Sequence, residues 1–386
     1  MQTPSKSRIK RVALGISCVA GVIAVIFVVG VFTHKEKTSI DRAPPDLQNH
    51  PIYSTYEFPK DETVISIGVQ PLWIFANNIS EIIQRDAILH HTLQKIGLQI
   101  RFYPFLKGAD LNYFVQHGDL KGGMCGDMAI LALATTLDII VPALIDQGFI
   151  DIVATRTMLM RELKGKRIGY AFGSDAHYAL LEALSSEGLT EKQVHLVPTD
   201  ITDMQTALNA NEIDACTSWE PTTSKLLMEN PRAEIIHRSR YVGFLFFRKD
   251  FADRHPEAVR QIIAAEIRAI RWMLDSRDNL ELSSRWAIEA IEKFIGTRYE
   301  FPPERFVDIV IQNAKVNAVP IIPALDLQEN GHLHREFGFV KKLDKLPVST
   351  DWEHVRAMFD RGVINHVLSK PHQYRLDEFV YERGMR

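Results

Sequence analysis

The sequence predicts an α/β protein with a helical C-terminal part, preceded by one N-terminal transmembrane helix. Three observations carry that reading. Short apolar runs alternate with helical patterns from Thr63 to Phe247, the pattern turns helical after Phe247, and Val12 to Phe32 holds no charge.

The N-terminal signal comes first. Lys6, Arg8, Lys10 and Arg11 form a basic flank over residues 1–11, and the apolar run of residues 12–32 is long enough to cross a bilayer. Basic flanks stay in the cytoplasm, which places everything after Thr33 outside. A cleaved signal peptide has a shorter apolar core and a small-x-small site, which Val31-Phe32-Thr33-His34 does not offer; a lipoprotein signal at Cys18 lacks the usual leucine in Gly15-Ile16-Ser17. The expectation is an uncleaved anchor. Residues 33–62 are polar and carry Pro44, Pro45, Pro51 and Pro59, which reads as an extended tether.

From Thr63 to Val69 the chain reads as a strand, followed by a helix whose Ile79, Ile82, Ile83 and Ala87 share one face. Further strands are expected at 99–103, 122–125, 139–141, 151–154, 167–172, 194–197, 214–217 and 241–247, nearly all followed by a turn and a helix. After Phe247, Ile262, Ile263, Ile267, Ile270 and Met273 mark a long helix behind Pro256, and Pro302-Pro303 opens another.

Composition narrows the function. The 386 residues include 45 basic and 48 acidic side chains, a net charge of -3 that gives no footprint for nucleic acid. Cys18 lies in the apolar run, and Cys125 and Cys216 read as core residues rather than a bridge. His332-x-His334 and His90-His91 lack third and fourth ligands at useful spacing, so neither metal nor cofactor is expected.

Ligands of open α/β sheets bind where strands end and helices begin. Three junctions fit. Gly126-Asp127-Met128 closes one strand, with Asp127 equally suited to capping a helix. Phe172 to His177 follows another, where Ser174 or Asp175 can cap the next helix. Trp219-Glu220-Pro221 follows a third, supplying an aromatic wall and an acid.

These segments resemble a known family. Glu162-Leu163-Lys164-Gly165-Lys166-Arg167-Ile168-Gly169 followed by Gly173-Ser174-Asp175-Ala176-His177 is similar to the corresponding stretch of the periplasmic receptors for nitrate, taurine and aliphatic sulfonates. Gly126-Asp127, Ile213-Asp214-Ala215 with Trp219-Glu220-Pro221, and His255-Pro256-Glu257-Ala258-Val259 with Ala269 and Trp272 extend the match in order. The chain departs from the family at Ala129, where a proline is usual, and at Glu220, where many relatives have Asp.

The resemblance implies a two-lobed type II periplasmic-binding-protein fold with two crossing strands and the solute between the lobes. Lobe I is then residues 63–154 and 244–366 with the C-terminal helices, lobe II is 155–243, and 367–386 is a tail. The implied function is solute capture for an ABC permease and ATPase, without catalysis. The candidate ligand-binding set is Gln70, Trp73, Gly126, Asp127, Met128, Gly173, Ser174, Asp175, His177, Trp219 and Glu220. Helix starts favour an anion and the three acids a cation, which suits a zwitterion such as an aminosulfonate. Two other readings stay open: a ligand sensor that signals to a partner, and an enzyme related to the pyrimidine synthases built on this scaffold, for which no cysteine-rich run is present.

Overall fold

In the computed structural model, which describes residues 47–347 and 349–382, eight strands form one sheet. They are β1 (Val64–Val69), β2 (Gln99–Pro104), β3 (Gly122–Gly126), β4 (Ile139–Ala154), β5 (Arg167–Tyr170), β6 (His195–Pro198), β7 (Ala215–Ser218) and β8 (Glu234–Arg248). Their order is β2-β1-β3-β8-β4-β7-β5-β6. The apolar run 12–32 and the first part of the tether lie outside the described residues. Among the described residues, no helix is long and apolar enough to cross a membrane.

The sheet has two parallel blocks. In one, β1 pairs parallel with β2 and β3; in the other, β5 pairs parallel with β6 and β7. The antiparallel pair β4–β8 joins them. The last residues of β8, Gly243 to Phe247, pair with β3, whereas the last residues of β4, Asp151 to Ala154, pair with β7. Between those contacts, Gln147–Ile150 of β4 and Ser239–Val242 of β8 pair only with each other.

Both long strands differ from the sequence reading. Residues 139–141 and 151–154 are one strand rather than two, and the strand expected at 241–247 begins at Glu234. Pro142 and Gly148 look like breakers in sequence. Pro142 falls in a register shift between Ile140 and Ala143, on a sheet edge, where a missing donor breaks no ladder. That edge is satisfied by later chain: Val141 N donates to Met358 O, Leu144 N to Pro320 O and Gln147 N to Asn317 Oδ1. Gly148 is required by space, because a Cβ there would meet the Tyr241 ring 2.8 Å from its hydroxyl oxygen.

Helices follow the strands. They are α1 (Ile74–Gln84), α2 (Ala87–Lys95), α3 (Gly108–Gln116), α4 (Asp127–Leu133), α5 (Asp175–Ser186), α6 (Met204–Asn209) and α7 (Thr222–Glu229). The helical C-terminal part is α8 (Lys249–Arg254), α9 (Pro256–Asp275), α10 (Arg277–Ile295), α11 (Pro303–Val316), α12 (His332–Lys342), α13 (Trp352–Arg356) and α14 (Arg361–Leu368). Local chemistry sets the ends. Pro256 and Pro303 open α9 and α11 where a missing N–H costs nothing, Ser276 caps α10 through Asn279 N at 3.2 Å, and Gly296 ends it at φ 74°.

The segment read as a tether is folded from Leu47 on. Tyr53 is buried; its hydroxyl donates to Asp110 Oδ2 at 2.8 Å and accepts from Leu106 N at 2.9 Å. Tyr56 and Phe58 join its ring against Tyr103, Phe105 and Phe114. Three aromatics spaced through a polar, proline-bearing stretch show no helix or strand period, which is why periodicity missed them. The C-terminal tail is anchored likewise: Tyr374 and Leu376 are buried, and Tyr381 bridges to Asp86.

Arg268 holds that end of the molecule together. It is fully buried on α9, with Nε 2.8 Å from Asp86 Oδ2 and Nη1 donating to Tyr374 O at 2.8 Å. Asp86 Oδ1 also accepts from Leu89 N at 2.9 Å, capping α2. Removing one partner leaves a buried charge without a counter-charge. Asp86→Ala is therefore expected to lower unfolding free energy by about 3–5 kcal/mol in chemical denaturation; a loss under about 1 kcal/mol would contradict this account of the pair.

Candidate binding cleft

Where the sheet narrows to two strands, four strand ends meet. The loops after β1, β3, β5 and β7 bring Gln70 and Trp73, Gly126, Ser174 and Asp175, and Trp219 around a cavity of about 30 Å³. Six of the eleven sequence-proposed residues line it. Gly108, Ala129, Ile150 and Tyr241 complete the wall.

Each wall residue is held by a specific bond. Gln70 Nε2 donates to Met124 O at 3.0 Å. The Trp73 indole nitrogen lies 2.8 Å from the Tyr241 hydroxyl and 3.0 Å from Asp146 Oδ2, and the Tyr241 hydroxyl donates to the same oxygen at 2.7 Å. Asn317 Nδ2 donates to Asp146 Oδ1 at 2.6 Å. Burial pushes the Asp146 carboxyl up from its ordinary range, and these donors oppose that shift. Gly243 makes room, since a Cβ there would overlap the Trp73 ring. Asp146, Tyr241 and Asn317 were missed in sequence because no local pattern links residues 95 and 171 positions apart.

Trp219 crosses the cleft. It is buried, and its Nε1 donates to Leu72 O, on the opposite side, at 2.8 Å. Ile74 N approaches Glu220 O at 3.5 Å beside it. Lys107 Nζ makes a further crossing, 3.0 Å from Asp200 Oδ1 and 3.4 Å from Asp110 Oδ2.

The acids are arranged differently from the sequence reading. Neither Ser174 nor Asp175 caps α5 through its side chain: Ser174 Oγ donates to Ala171 O at 2.7 Å, and Asp175 reaches across the cleft, where its Oδ1 accepts from Met128 N at 3.1 Å. A Cβ on Gly126 would overlap that carboxylate. Asp127 is buried behind the cavity rather than in it. Its Oδ1 accepts from Met128 N at 2.8 Å and its Oδ2 from Val242 N at 2.9 Å, with His332 Nε2 at 3.0 Å. Asp127 and Met128 border a second cavity of about 20 Å³, which Asp175 and Glu336 also line.

His332 and Glu336 stand one turn apart on α12, 3.1 Å from each other, so that the donor atoms of Asp127, His332 and Glu336 lie within 4.8 Å. The sequence reading paired His332 with His334 instead, and Asp127 lies 205 positions away. Glu220 turns out of the cavity and accepts from Ser224 N and Oγ at 3.2 and 2.9 Å. Burial raises its carboxyl above the usual range.

His177 is packed inside rather than presented. Its ring sits 4.5 Å from Tyr170 and near Phe172 and Tyr178, while Nδ1 accepts from Gly173 N at 3.3 Å. Gly173 adopts φ 74°, a left-handed turn that glycine permits. His177 thus fixes the loop that carries Ser174 and Asp175.

Known proteins share this architecture. Residues 140–279 match the family model described as NMT1/THI5 like. Over 186 residues the chain is 27% identical to the taurine-binding periplasmic protein of Escherichia coli (strain K12), covering 45% of this chain and 57% of that protein. The chain thus spans little more than half the length of this curated relative. The alkanesulfonate-binding protein SsuA from Xanthomonas axonopodis pv. citri, bound to MOPS, superposes with a TM-score of 0.58 at 18% identity, over 77% of this chain and 98% of that one. The periplasmic nitrate-binding protein NrtA from Synechocystis PCC 6803 gives 0.59 at 12% identity, over 83% and 92%. A Candida albicans gene product with the generic periplasmic binding protein fold gives 0.55 at 14%, over 79% and 94%. The fold is that of the periplasmic binding proteins, an α/β architecture with a mixed sheet.

Burial, and secondarily Lys345, lowers the His177 pKa to about 3. A histidine whose folded pKa lies below its unfolded value stabilises fully above about pH 6.5, and that contribution is lost as pH falls toward 3. His177→Gln keeps an acceptor for Gly173 N and removes the titration. Its stability is expected to fall less steeply between pH 6.5 and 3, by about 1.4 kcal/mol per pH unit. Parallel acid limbs for the two proteins in denaturant titrations would contradict the assignment.

Proposed function

We infer that this chain, which carries an NMT1/THI5-like region on a periplasmic-binding-protein fold, is the solute receptor of an ABC importer. The supporting observation is the cavity at the two-strand passage, walled from both sides by Trp73, Asp175, Trp219 and Tyr241. The proposed lobes are residues 63–154 with 244–366, and 155–243. Bending within 147–150 and 239–242 opens and closes them.

The cavity of about 30 Å³ leaves no room for a solute of several heavy atoms, so loading requires the lobes to part. Opening breaks the bonds from Trp219 to Leu72, from Met128 N to Asp175 and from Lys107 to Asp200. A solute that contacts both walls draws the lobes together around itself, held apart from the present closure by its own thickness, and that form is the one a permease recognises. The proposed solute is small and of the sulfonate, taurine or nitrate type. The reading assigns no covalent chemistry to the site. The proposed attachment is a single-pass anchor at residues 12–32, with the binding part on the periplasmic or extracellular side. A start near Lys35 in N-terminal sequencing of the mature protein would contradict it.

The functional test is a thermal-shift series on the full chain with taurine, alkanesulfonates, nitrate and amino acids. A ligand that binds only the folded state raises its stability, by about 2.7 kcal/mol at a hundred times Kd. At least one compound is expected to raise the midpoint, and Trp219→Ala is expected to weaken that binding roughly 5- to 150-fold. If no compound in the series shifts the midpoint, or if Trp219→Ala binds as tightly as the parent, the reading fails.

A further inference from the structure

We propose that the cleft is specific for a solute presenting a cationic nitrogen, with Asp175 as its counter-charge, and that it rejects a solute offering only an oxyanion. This rests on the receptor reading and adds to it the charge that the site selects.

The start of α4 is already occupied. Amides at a helix start are the usual place to receive an oxyanion. Here Met128 N is already engaged by two carboxylates of the protein, Asp127 Oδ1 at 2.8 Å and Asp175 Oδ1 at 3.1 Å. The absent side chain of Gly126 is what lets the Asp175 carboxylate lie against this turn. A sulfonate or nitrate arriving there would displace Asp175 or sit against it.

The surroundings of Asp175 are acidic. From α4 it faces Asp127, from α12 His332 and Glu336 lie behind Asp127, and from its own helix Glu182 borders the same small cavity. Cys125 on β3, Tyr178 on α5 and Tyr241 on β8 are further titratable neighbours, and Arg240 on β8 borders the same small cavity. Nearby cations are already paired. Lys107 holds Asp110 and Asp200, Arg238 holds Asp151 at 2.6 Å, and Arg240 holds Asp326 at 2.8 Å and Gln147 at 3.0 Å. Among the described residues, no Lys or Arg lines the main cavity. The rings of Trp73, Trp219 and Tyr241 line it, ring faces attract a cation, and their own donors are already given to Asp146 and Leu72 O.

Burial and then Asp127 raise the Asp175 carboxyl well above its ordinary range. In the empty cleft this favours the protonated acid. A cation entering beside it lowers that pKa and displaces the proton, so amine binding releases up to one proton and weakens as pH falls.

Isothermal titration of the full chain separates the possibilities with three probes: taurine, ethanesulfonate, which lacks the nitrogen, and ethanolamine, which lacks the sulfonate. Taurine or ethanolamine is expected to bind at least tenfold tighter than ethanesulfonate, with proton release visible as a heat that varies with the buffer's ionisation enthalpy. Asp175→Asn, which keeps shape and removes charge, is expected to lose at least tenfold in amine affinity and all of the proton release. Its thermal midpoint, unchanged or raised, reports that it folds. Ethanesulfonate binding as tightly as either amine, or unchanged amine affinity in Asp175→Asn, would overturn the proposal while leaving the receptor reading intact. If none of the three binds, the charge proposal falls, while the receptor reading stands or falls with the wider thermal-shift series.

Discussion

Between Gln147 and Ile150 the sheet is only two strands wide, and most of the molecule's behaviour depends on that narrowing. A parallel block needs its neighbours for hydrogen bonding and helices on both faces for burial, so each block is stiff in itself. The β4–β8 ribbon has no third strand in its middle. Bending there costs few backbone bonds, because the pairing with β3 and β7 lies to either side of it. The same narrowing places the ends of four parallel strands face to face. A cleft at this point follows from the topology before any residue in it is considered.

The cleft is held shut by unlike bonds. The Trp219 indole joins a backbone carbonyl across the gap, Lys107 makes an ion pair, and Asp175 places a carboxylate on a helix start. The first satisfies a buried donor, and the second is an ion pair whose Asp200 stays partly exposed. The third brings acids together, and burial, then Asp127, raises the proton affinity of both Asp175 and Glu336. Closure without a counter-cation therefore carries an electrostatic cost that a proton or a cation relieves. The site combines aromatic walls with a cluster of acids.

Much of this was legible in the sequence, for reasons that can be named. A small or turn-forming residue near an acid at three strand ends marked where loops would meet, and Gly126, Ser174, Asp175 and Trp219 do line one cavity. The resemblance to the nitrate and sulfonate receptors supplied the connectivity. Direction was less legible than position. A side chain's neighbours across the cleft have no sequence signature, so Asp175 read as a cap for its own helix although it serves α4, and His177 read as a ligand although it packs on Tyr170. Pro142 and Gly148 disguised a sixteen-residue strand, since an edge position and a close aromatic ring excuse residues that usually break strands. The Trp73–Tyr241–Asp146–Asn317 network joins four distant segments, and only the folded chain brings them together.

The central claim, that two stiff blocks close by bending at this ribbon, is tested most directly by the distance between them. Spin labels at Gln116 on α3 and Ser185 on α5, both exposed and one in each block, report it by pulsed electron spectroscopy. Without solute the distribution is expected to be long or broad, and at saturating taurine to shorten and narrow toward a single separation somewhat wider than the one in this structure. A distribution that is already narrow and does not change while taurine demonstrably binds would contradict it.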